Sequence, residues 1–195
     1  MKKDTEERQA LRKRYILARE SLTEEERAEK SRRAVERIAS LPVFREARTV
    51  MIYRAVRGEI SPEALAEHPA AAGKRFAYPL CINRTEMAAM VPGGWRPGPF
   101  GIPEPERAVS EEIPPEEIDL VICPGTAFDS RCSRMGMGGG YYDRFLPKCV
   151  HAAVVMAAFE VQHAENLPSR EQDVPMDCVV TEAAVYTPGR RKEKR

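Results

Sequence analysis

The chain has 195 residues, and its 31 Lys and Arg nearly balance its 30 Asp and Glu, which gives a formal net charge of +1 at pH 7. This length suits one domain with a sizeable core, two small domains being the alternative, and the charge gives no argument for binding nucleic acid or a membrane. No apolar run is long enough to span a membrane and no signal sequence is recognisable, so we expect a cytoplasmic protein. The five cysteines include no Cys-x-x-Cys pair, so neither a disulfide scaffold nor a zinc site is expected.

Two helices are predicted at the start of the chain. Residues 4–20 read as a basic helix whose apolar face is formed by Leu11, Tyr15, Ala18 and Leu22. The remaining surface of this helix carries basic side chains that we interpret as mostly solvated, namely Arg8, Arg12, Lys13 and Arg19. Thr23 and the glutamates after it form a capping-box signal, which predicts a second helix to about residue 40.

The rest of the chain alternates between strand and helix signals. Strands are predicted at residues 49–53, 75–80, 86–91, 119–123, 151–159 and 177–181, and short helices at 61–67 and 141–146. Residues 92–106 are rich in Pro and Gly and read as a loop. This alternation predicts an α/β fold, a three-layer α/β/α single domain with a mostly parallel central sheet over residues 1–187. Residues 188–195 are expected to be a charged, disordered tail.

Residues 134–144, called the glycine loop or glycine segment below, are the most informative part of the sequence. They follow a predicted strand and combine two arginines, two tyrosines and one carboxylate with four glycines, Gly136, Gly138, Gly139 and Gly140. Free N–H groups in such a loop form a nest for anions, and arginines suit phosphate. The segment therefore predicts a phosphate site for ATP with Mg²⁺, the alternative being a glycine-rich surface turn. It is neither a Walker A loop nor a dinucleotide fingerprint, because Tyr141 stands where the latter requires glycine.

Two predicted loops would share one edge of the sheet. Residues 54–59 follow the first strand, and residues 124–143 follow the strand at 119–123. Because ligands of such sheets bind beyond the carboxyl ends of the strands, we expect the site to lie between these loops.

Several segments together resemble one enzyme family. The pattern Pro124-Gly125-x-Ala127-Phe128-Asp129, followed by the segment 134–144, resembles the 5-formyltetrahydrofolate cyclo-ligase family. Further segments that are similar to the family, in the same order, are residues 8–13, Tyr53 with 58–60, residues 100–105 from Phe100 onward, and residues 172–177. The chain departs from the family pattern at Arg8, Cys132, Met135, Met137 and Gln172.

The resemblance implies an activity. The family converts 5-formyltetrahydrofolate to 5,10-methenyltetrahydrofolate with release of ADP and phosphate, using ATP and Mg²⁺. Phosphorylation of the formyl oxygen makes it a good leaving group, and N10 then attacks the activated carbon. In the phosphoryl transfer, the protein contributes mainly by positioning the reactants and neutralising their charge. The implied partner is a reduced folate, with or without a polyglutamate tail; neither nucleic acid nor a membrane is expected, and we expect a monomer.

The resemblance also implies roles for individual residues. The catalytic residues would be Arg134, Tyr142 and Asp143. The ATP site would be formed by Arg8, Arg12, Arg134, Gly136, Gly138, Gly139, Gly140, Tyr141 and Tyr142. The folate would contact Arg54, Glu59 and Trp95. Mg²⁺ would be held by Asp143 and Asp177.

Without the resemblance, several of these residues have simpler interpretations. Arg8 and Arg12 would be surface residues, Glu59 a solvated loop residue, Asp177 a cap at the start of a strand, and Trp95 a core side chain.

Two other functions remain open. One is another ATP-dependent kinase or ligase that acts on a different acid or amide and shares the glycine loop. The other is a nucleotide-binding or RNA-binding module without catalysis, to which the basic first helix and the charged tail point.

Overall fold

The computed structural model of the protein describes residues 6–98 and 101–189. Helix α1 (Glu6–Glu20) and helix α2 (Glu24–Ser40) open this part of the chain, and a single turn, α3 (Pro42–Glu46), follows them. The predicted capping box is confirmed, because the N–H of Glu26 donates to the Thr23 hydroxyl at 3.2 Å and the N–H of Thr23 donates to the Glu26 carboxylate at 2.8 Å. No described helix has the length and apolarity needed to cross a membrane.

The strands between and after the helices are short. In chain order they are β1 (Thr49–Met51), β2 (Arg75–Cys81), β3 (Met87–Val91), β4 (Trp95–Pro97), β5 (Pro103–Pro105), β6 (Glu111–Ile113), β7 (Leu120–Cys123), β8 (Ala127–Asp129), β9 (Arg134–Met135), β10 (Ala153–Ala157), β11 (His163–Ala164), β12 (Cys178–Val180) and β13 (Val185–Tyr186). A further helical turn, α4 (Tyr141–Phe145), lies between β9 and β10.

Among the described residues, eight of these strands form the central sheet, in the order β13-β12-β10-β7-β1-β2-β3-β6. The five strands from β12 to β2 run parallel, and the antiparallel strands lie at the two edges. Strands β1 and β7 are completely buried, as expected for parallel strands that are covered on both faces. The predicted α/β class with a mostly parallel sheet is confirmed.

Both faces of the sheet are covered, which gives three layers. Val50 and Ile52 pack with Ile38 of α2 and Phe44 of α3 on one face. Met51, between them in sequence, packs on the other face in a second cluster, together with Phe145 of α4, Leu146 and Met176. The alternation follows from the two-residue period of a strand.

The structure differs from the sequence prediction in its small elements. The predicted loop at 92–106 contains the hairpin β4–β5, and the predicted loop at 124–143 contains the strands β8 and β9. The predicted helix at 61–67 is a 3-10 turn at Pro62–Leu65, and β13 follows what was expected to be the last strand. Strands of two or three residues are too short to show a period, so only their pairing partners reveal them. Phe100 and residues 190–195 of the predicted tail lie outside the described residues.

Asp129 is a buried carboxylate at the end of β8 that fixes the loop before the glycine segment. Its side chain has no exposed surface and accepts the backbone N–H groups of Arg131, Ser133 and Leu167 at 3.0, 3.0 and 3.3 Å. Burial alone would raise the pKa of Asp129, but the hydrogen bonds from Arg131 and Ser133 outweigh it and hold that pKa below its ordinary value. The carboxylate thus joins β8, the turn after it and the segment at Leu167.

We expect Asp129→Ala to lower the free energy of unfolding by about 3 kcal/mol, because three backbone donors would lose their acceptor. Asp129→Asn keeps one acceptor oxygen and should lose less. Urea denaturation measures both, with Ser130→Ala, at the neighbouring exposed position, as the control. An Asp129→Ala protein as stable as the wild type would show that these hydrogen bonds do not hold the loop.

Candidate active site

A cleft lies between the segment at 167–177 and residues 131–135, which lead into the glycine loop. Its volume is about 670 Å³, and its walls include Arg134, Met135, Arg170, Asp173 and Asp177. The segment that leads to the glycine loop begins after β7, which pairs in parallel with β1 in the central sheet. It therefore lies next to the loop after β1, at the carboxyl ends of the two strands.

Arg134, Tyr142 and Asp143 are brought together by the structure. Arg134 Nη2 donates to Asp143 Oδ1 at 2.8 Å, Nη1 donates to the carbonyl of Pro124 at 3.2 Å, and the guanidinium lies 5.5 Å from the centre of the Tyr142 ring. Arg134 Nε is buried and has no acceptor among the described residues. Burial raises the pKa of Tyr142 well above its ordinary value, so its hydroxyl stays protonated. The group is a preorganised cation held beside one carboxylate.

The glycine loop has a backbone that only glycine fits well. Gly138 and Gly140 have positive φ angles of 104° and 67°. A Cβ at Gly140 would lie 2.6 Å from Arg144 Nη1, and one at Gly136 would lie 2.9 Å from Arg134 Nη1. The glycines therefore let two guanidinium groups lie directly against the backbone.

Tyr141 and Arg144 hold the glycine loop in place through hydrogen bonds to backbone carbonyls. The Tyr141 hydroxyl donates to the carbonyl of Asn83 at 3.0 Å, and Arg144 donates to the carbonyls of Thr85 and Gly139 at 2.6 and 2.7 Å. The turn between β2 and β3 thus supports the glycine loop. In the predicted site, Arg144 anchors the loop rather than extending toward a ligand.

Arg8 and Arg12 of α1 both face the site, and neither is a solvated surface residue. Arg12 Nε donates to the carbonyl of Gly136 at 2.8 Å. Burial and the neighbouring Arg170 lower the pKa of Arg12, while Asp173 and Asp143 act in the opposite direction. Arg8 is buried, pairs with Asp173 at 2.8 Å and donates to the carbonyl of Pro168. Helix α1 is thereby fixed to the cleft wall.

Glu59 is buried in the loop after β1. Its Oε2 accepts the N–H of Val56 at 3.2 Å, and its Oε1 lies 3.4 Å from Arg19 Nη1. Burial raises the pKa of Glu59 from 4.5 to about 7, while Arg19 and the hydrogen bond from Val56 oppose this shift. A solvated loop glutamate, the simpler interpretation of the sequence, does not describe this residue.

Arg54, in the loop after β1, and Trp95, in β4, lie against each other. The Arg54 guanidinium is 4.7 Å from the centre of the Trp95 ring and pairs with Glu63 at 3.1 Å. The Tyr78 ring meets the Trp95 ring edge-on at 4.9 Å. Trp95 is 41% exposed, so it is not a core side chain and its ring is accessible to a ligand.

Asp177 lines the cleft and also caps a strand. Its Oδ2 accepts the N–H of Val154 at 2.7 Å at the start of β10. Within the described residues there is no group of three His, Cys, Asp or Glu side chains that could hold a metal ion. Asp143 pairs with Arg134, whereas Asp177 binds the backbone at the start of β10, and no contact joins the two carboxylates among the described residues.

Arg19 and Gln162 bind the backbone of the loops around the site, and the sequence predicted neither contact. The sequence places Arg19 on the solvated face of the first helix, but its side chain has no exposed surface. It lies four residues after the inward-facing Tyr15, and this spacing was the available signal. The Gln162 amide donates to the carbonyls of Gly125 and Thr126 at 2.8 and 3.0 Å. No sequence pattern indicated this contact.

Comparison with known proteins gives a consistent result. The model of the 5-formyltetrahydrofolate cyclo-ligase family matches residues 4–182. The chain is 32% identical over 180 residues to the 5-formyltetrahydrofolate cyclo-ligase of Escherichia coli (strain K12), covering 86% of this chain and 96% of the relative. The corresponding enzyme of Haemophilus influenzae is 29% identical, with 89% and 96% covered.

Solved structures with the same fold include a 5,10-methenyltetrahydrofolate synthetase of Aquifex aeolicus. It has a TM-score of 0.79 and 33% identity, covering 96% of this chain and 97% of that one. A synthetase of Mycoplasma pneumoniae, with a TM-score of 0.73 and 20% identity, shares the fold.

The buried Glu59 should make stability depend on pH. Because the pKa of Glu59 is about 7 in the folded protein and about 4.5 in the unfolded chain, the folded protein binds the carboxyl proton of Glu59 more tightly. Protonated Glu59 therefore stabilises the fold fully below about pH 4.5, and this stabilisation is lost as the pH rises through about 7. We expect the stability of the wild type relative to Glu59→Gln to fall by about 2–3 kcal/mol between pH 5 and pH 8.

Urea denaturation at several pH values measures this difference. Glu117→Gln, at an exposed position, is the control and should differ from the wild type equally at all pH values. A difference between wild type and Glu59→Gln that does not change with pH would show that Glu59 is ordinarily solvated.

Proposed function

This chain belongs to the 5-formyltetrahydrofolate cyclo-ligase family, and we propose that the cleft beside the glycine loop is where it carries out the reaction of that family. That reaction, and the function of this chain, is the ATP-dependent cyclisation of 5-formyltetrahydrofolate to 5,10-methenyltetrahydrofolate. The observation that carries the assignment of the site is the Arg134–Asp143 pair beside a loop in which Gly138 and Gly140 have positive φ angles. It supplies fixed cations, free N–H groups and one carboxylate at one place.

The proposed mechanism uses the site mainly to position charge. The amide-like formyl carbon is a poor electrophile, and its oxygen is a poor leaving group. Transfer of the γ-phosphoryl group to this oxygen releases ADP. Attack of N10 on the carbon then closes the ring and expels phosphate, and the N10 proton is lost to the departing phosphate or to water. Arg134 and Arg12 neutralise negative charge on the phosphates, and the N–H groups of residues 136–140 bind the phosphate oxygens.

ATP and Mg²⁺ fit the residues that are present. The buried, unpaired Nε of Arg134 and the glycine cradle suit phosphate oxygens. Asp143 and Asp177 would hold Mg²⁺, which neutralises phosphate charge when it is bound. Tyr142 supports Arg134 through its ring, and Tyr141 holds the loop through its contact with Asn83.

The folate is proposed to lie on the side of Glu59. The reduced pterin ring presents adjacent N–H donors, and a carboxylate accepts two of them side by side. Arg54 and the exposed face of Trp95 would contact the remainder of the folate. We further propose that the protein acts as a cytoplasmic monomer, with residues 1–187 as a single catalytic domain, and binds neither nucleic acid nor a membrane.

The direct test is an absorbance assay. Purified protein is mixed with (6S)-5-formyltetrahydrofolate and Mg-ATP, and the near-ultraviolet band of the methenyl product is followed against a control without ATP. We expect ATP-dependent growth of the band. A folded protein that binds ATP and forms no product would favour another ATP-dependent kinase or ligase. RNA binding that is sensitive to salt and lost on deletion of residues 188–195 would favour a nucleic-acid module.

Asp143→Asn should lower turnover by about a hundredfold or more, because it removes a charge from the proposed metal site while keeping an oxygen for Arg134. The free energy of unfolding should change by less than about 1 kcal/mol. Steady-state kinetics with a Mg²⁺ titration, together with urea denaturation, measure both effects, and Glu117→Gln is the control. An unfolded variant whose residual folded fraction is fully active would make Asp143 a structural residue.

Glu59→Ala separates the folate reaction from other uses of the same loop. We expect it to abolish folate turnover while ATP affinity, measured by calorimetry, stays at the wild-type value, since the Glu59 side chain binds Val56 and Arg19 and no residue of the glycine loop. Full turnover in Glu59→Ala would remove this residue from the folate site and favour another acceptor.

A further inference from the structure

Arg19 is a cation buried completely behind the proposed folate site. Its side chain has no exposed surface. Its Nε donates to the carbonyl of Arg57 at 2.9 Å, and its Nη1 donates to the carbonyl of Gly125 at 3.1 Å and faces Glu59 Oε1 at 3.4 Å. Three acceptors thus meet one guanidinium.

These acceptors belong to two different loops. Arg57 and Glu59 lie in the loop after β1, which carries the proposed folate carboxylate. Gly125 lies directly after β7, at the start of the segment that leads to the glycine loop. Because β1 and β7 are neighbours in the sheet, Arg19 reaches from α1 to the point where the two halves of the site adjoin.

Stability alone is a poor explanation for this arrangement. A buried guanidinium loses its hydration, and the Nη2 of Arg19 has no acceptor within the part of the chain that the structure describes. Burial accordingly lowers the pKa of Arg19, with Glu59 as the first opposing charge. A buried donor that is left unsatisfied needs an explanation, and one explanation is a role in the site.

We propose that Arg19 is a positioning residue for the reaction, which orients the Glu59 carboxylate, favours its ionised form and holds the folate-side loop against the phosphate-side loop. The inference rests on the proposed role of Glu59 in binding the pterin. It adds a residue that acts through Glu59 and does not itself touch the substrate.

Arg19 makes the closest positively charged contact with Glu59. Arg57 of its own loop and the hydroxyls of Tyr53 and Tyr142 also interact with Glu59. The charged and titratable groups that line the groove between Glu59 and α2 are Glu24, Arg27, Arg32, Glu36 and His68. Loss of the charge at Arg19 therefore leaves a buried carboxylate without its nearest cation. Its pKa would then rise further above about 7.

The test measures kcat/KM for (6S)-5-formyltetrahydrofolate at saturating Mg-ATP from pH 5.5 to 9. In the wild type, kcat/KM should rise as Glu59 ionises, with a midpoint near 7. In Arg19→Gln this rise should move at least one pH unit to higher pH, which lowers kcat/KM about tenfold at pH 6. Arg19→Lys retains the charge, so its midpoint should stay within about half a pH unit of the wild type.

Arg14→Gln is the matched control, because it makes the same substitution at an exposed position of the same helix. It should reproduce the wild-type profile. A purely structural role for Arg19 would lower kcat/KM equally at every pH and leave the midpoint in place, and this result would overturn the proposal. Absence of product in the wild type would instead overturn the proposed function and this inference with it.

A double-mutant cycle keeps the proposal testable if Arg19→Gln does not fold. The readout is the affinity for (6S)-5-formyltetrahydrofolate at pH 8, measured by calorimetry, which does not require turnover. Arg19→Lys should weaken this affinity by about three- to tenfold in the wild-type background, since an ammonium group cannot keep the guanidinium contacts that place Nη1 beside Glu59. In the Glu59→Gln background the same substitution should change the affinity less than twofold. Equal losses in both backgrounds would show that Arg19 does not act through Glu59.

Discussion

The parallel pairing of β1 with β7 is the constraint on which the site depends. Val50 pairs with Leu120 and Met51 with Val121, so the two strands end at the same edge of the sheet. The loops that follow them are therefore adjacent, although they are about seventy residues apart in the chain. One loop carries Glu59, and the other leads to the glycine segment. The proposed folate and phosphate sites are thus placed side by side by the pairing of β1 with β7.

Glu59 is the more deeply buried of the two proposed site carboxylates. Asp143 accepts a hydrogen bond from Arg134 at 2.8 Å and remains partly exposed. Glu59 lies 3.4 Å from Arg19, and burial raises the pKa of Glu59 to about 7. The charge of Glu59 therefore depends on the groups around it.

The glycine loop is held by side chains rather than by a long helix. Helix α4 has only five residues, so its dipole contributes little to phosphate binding. Arg144 and Tyr141 anchor the loop to the turn between β2 and β3, and Arg12 anchors it to α1. The pattern of glycines and arginines predicted this loop, and the family resemblance added proposed roles for Arg12 and Glu59. It did not reveal which arginines face a ligand and which bind the backbone, because those partners are far apart in sequence.

The sequence by itself determined the α/β class, the long helices, the parallel strands and the glycine loop, since each is encoded in a local pattern of apolar periodicity, capping or glycine content. The tertiary structure alone decided that Arg19 is buried, that Glu59 is desolvated and that Asp177 caps β10. It also decided the short strands β4, β5, β8 and β9. These features arise from contacts between residues distant in the chain, and neither burial nor the choice of a hydrogen-bond partner is written in a local pattern.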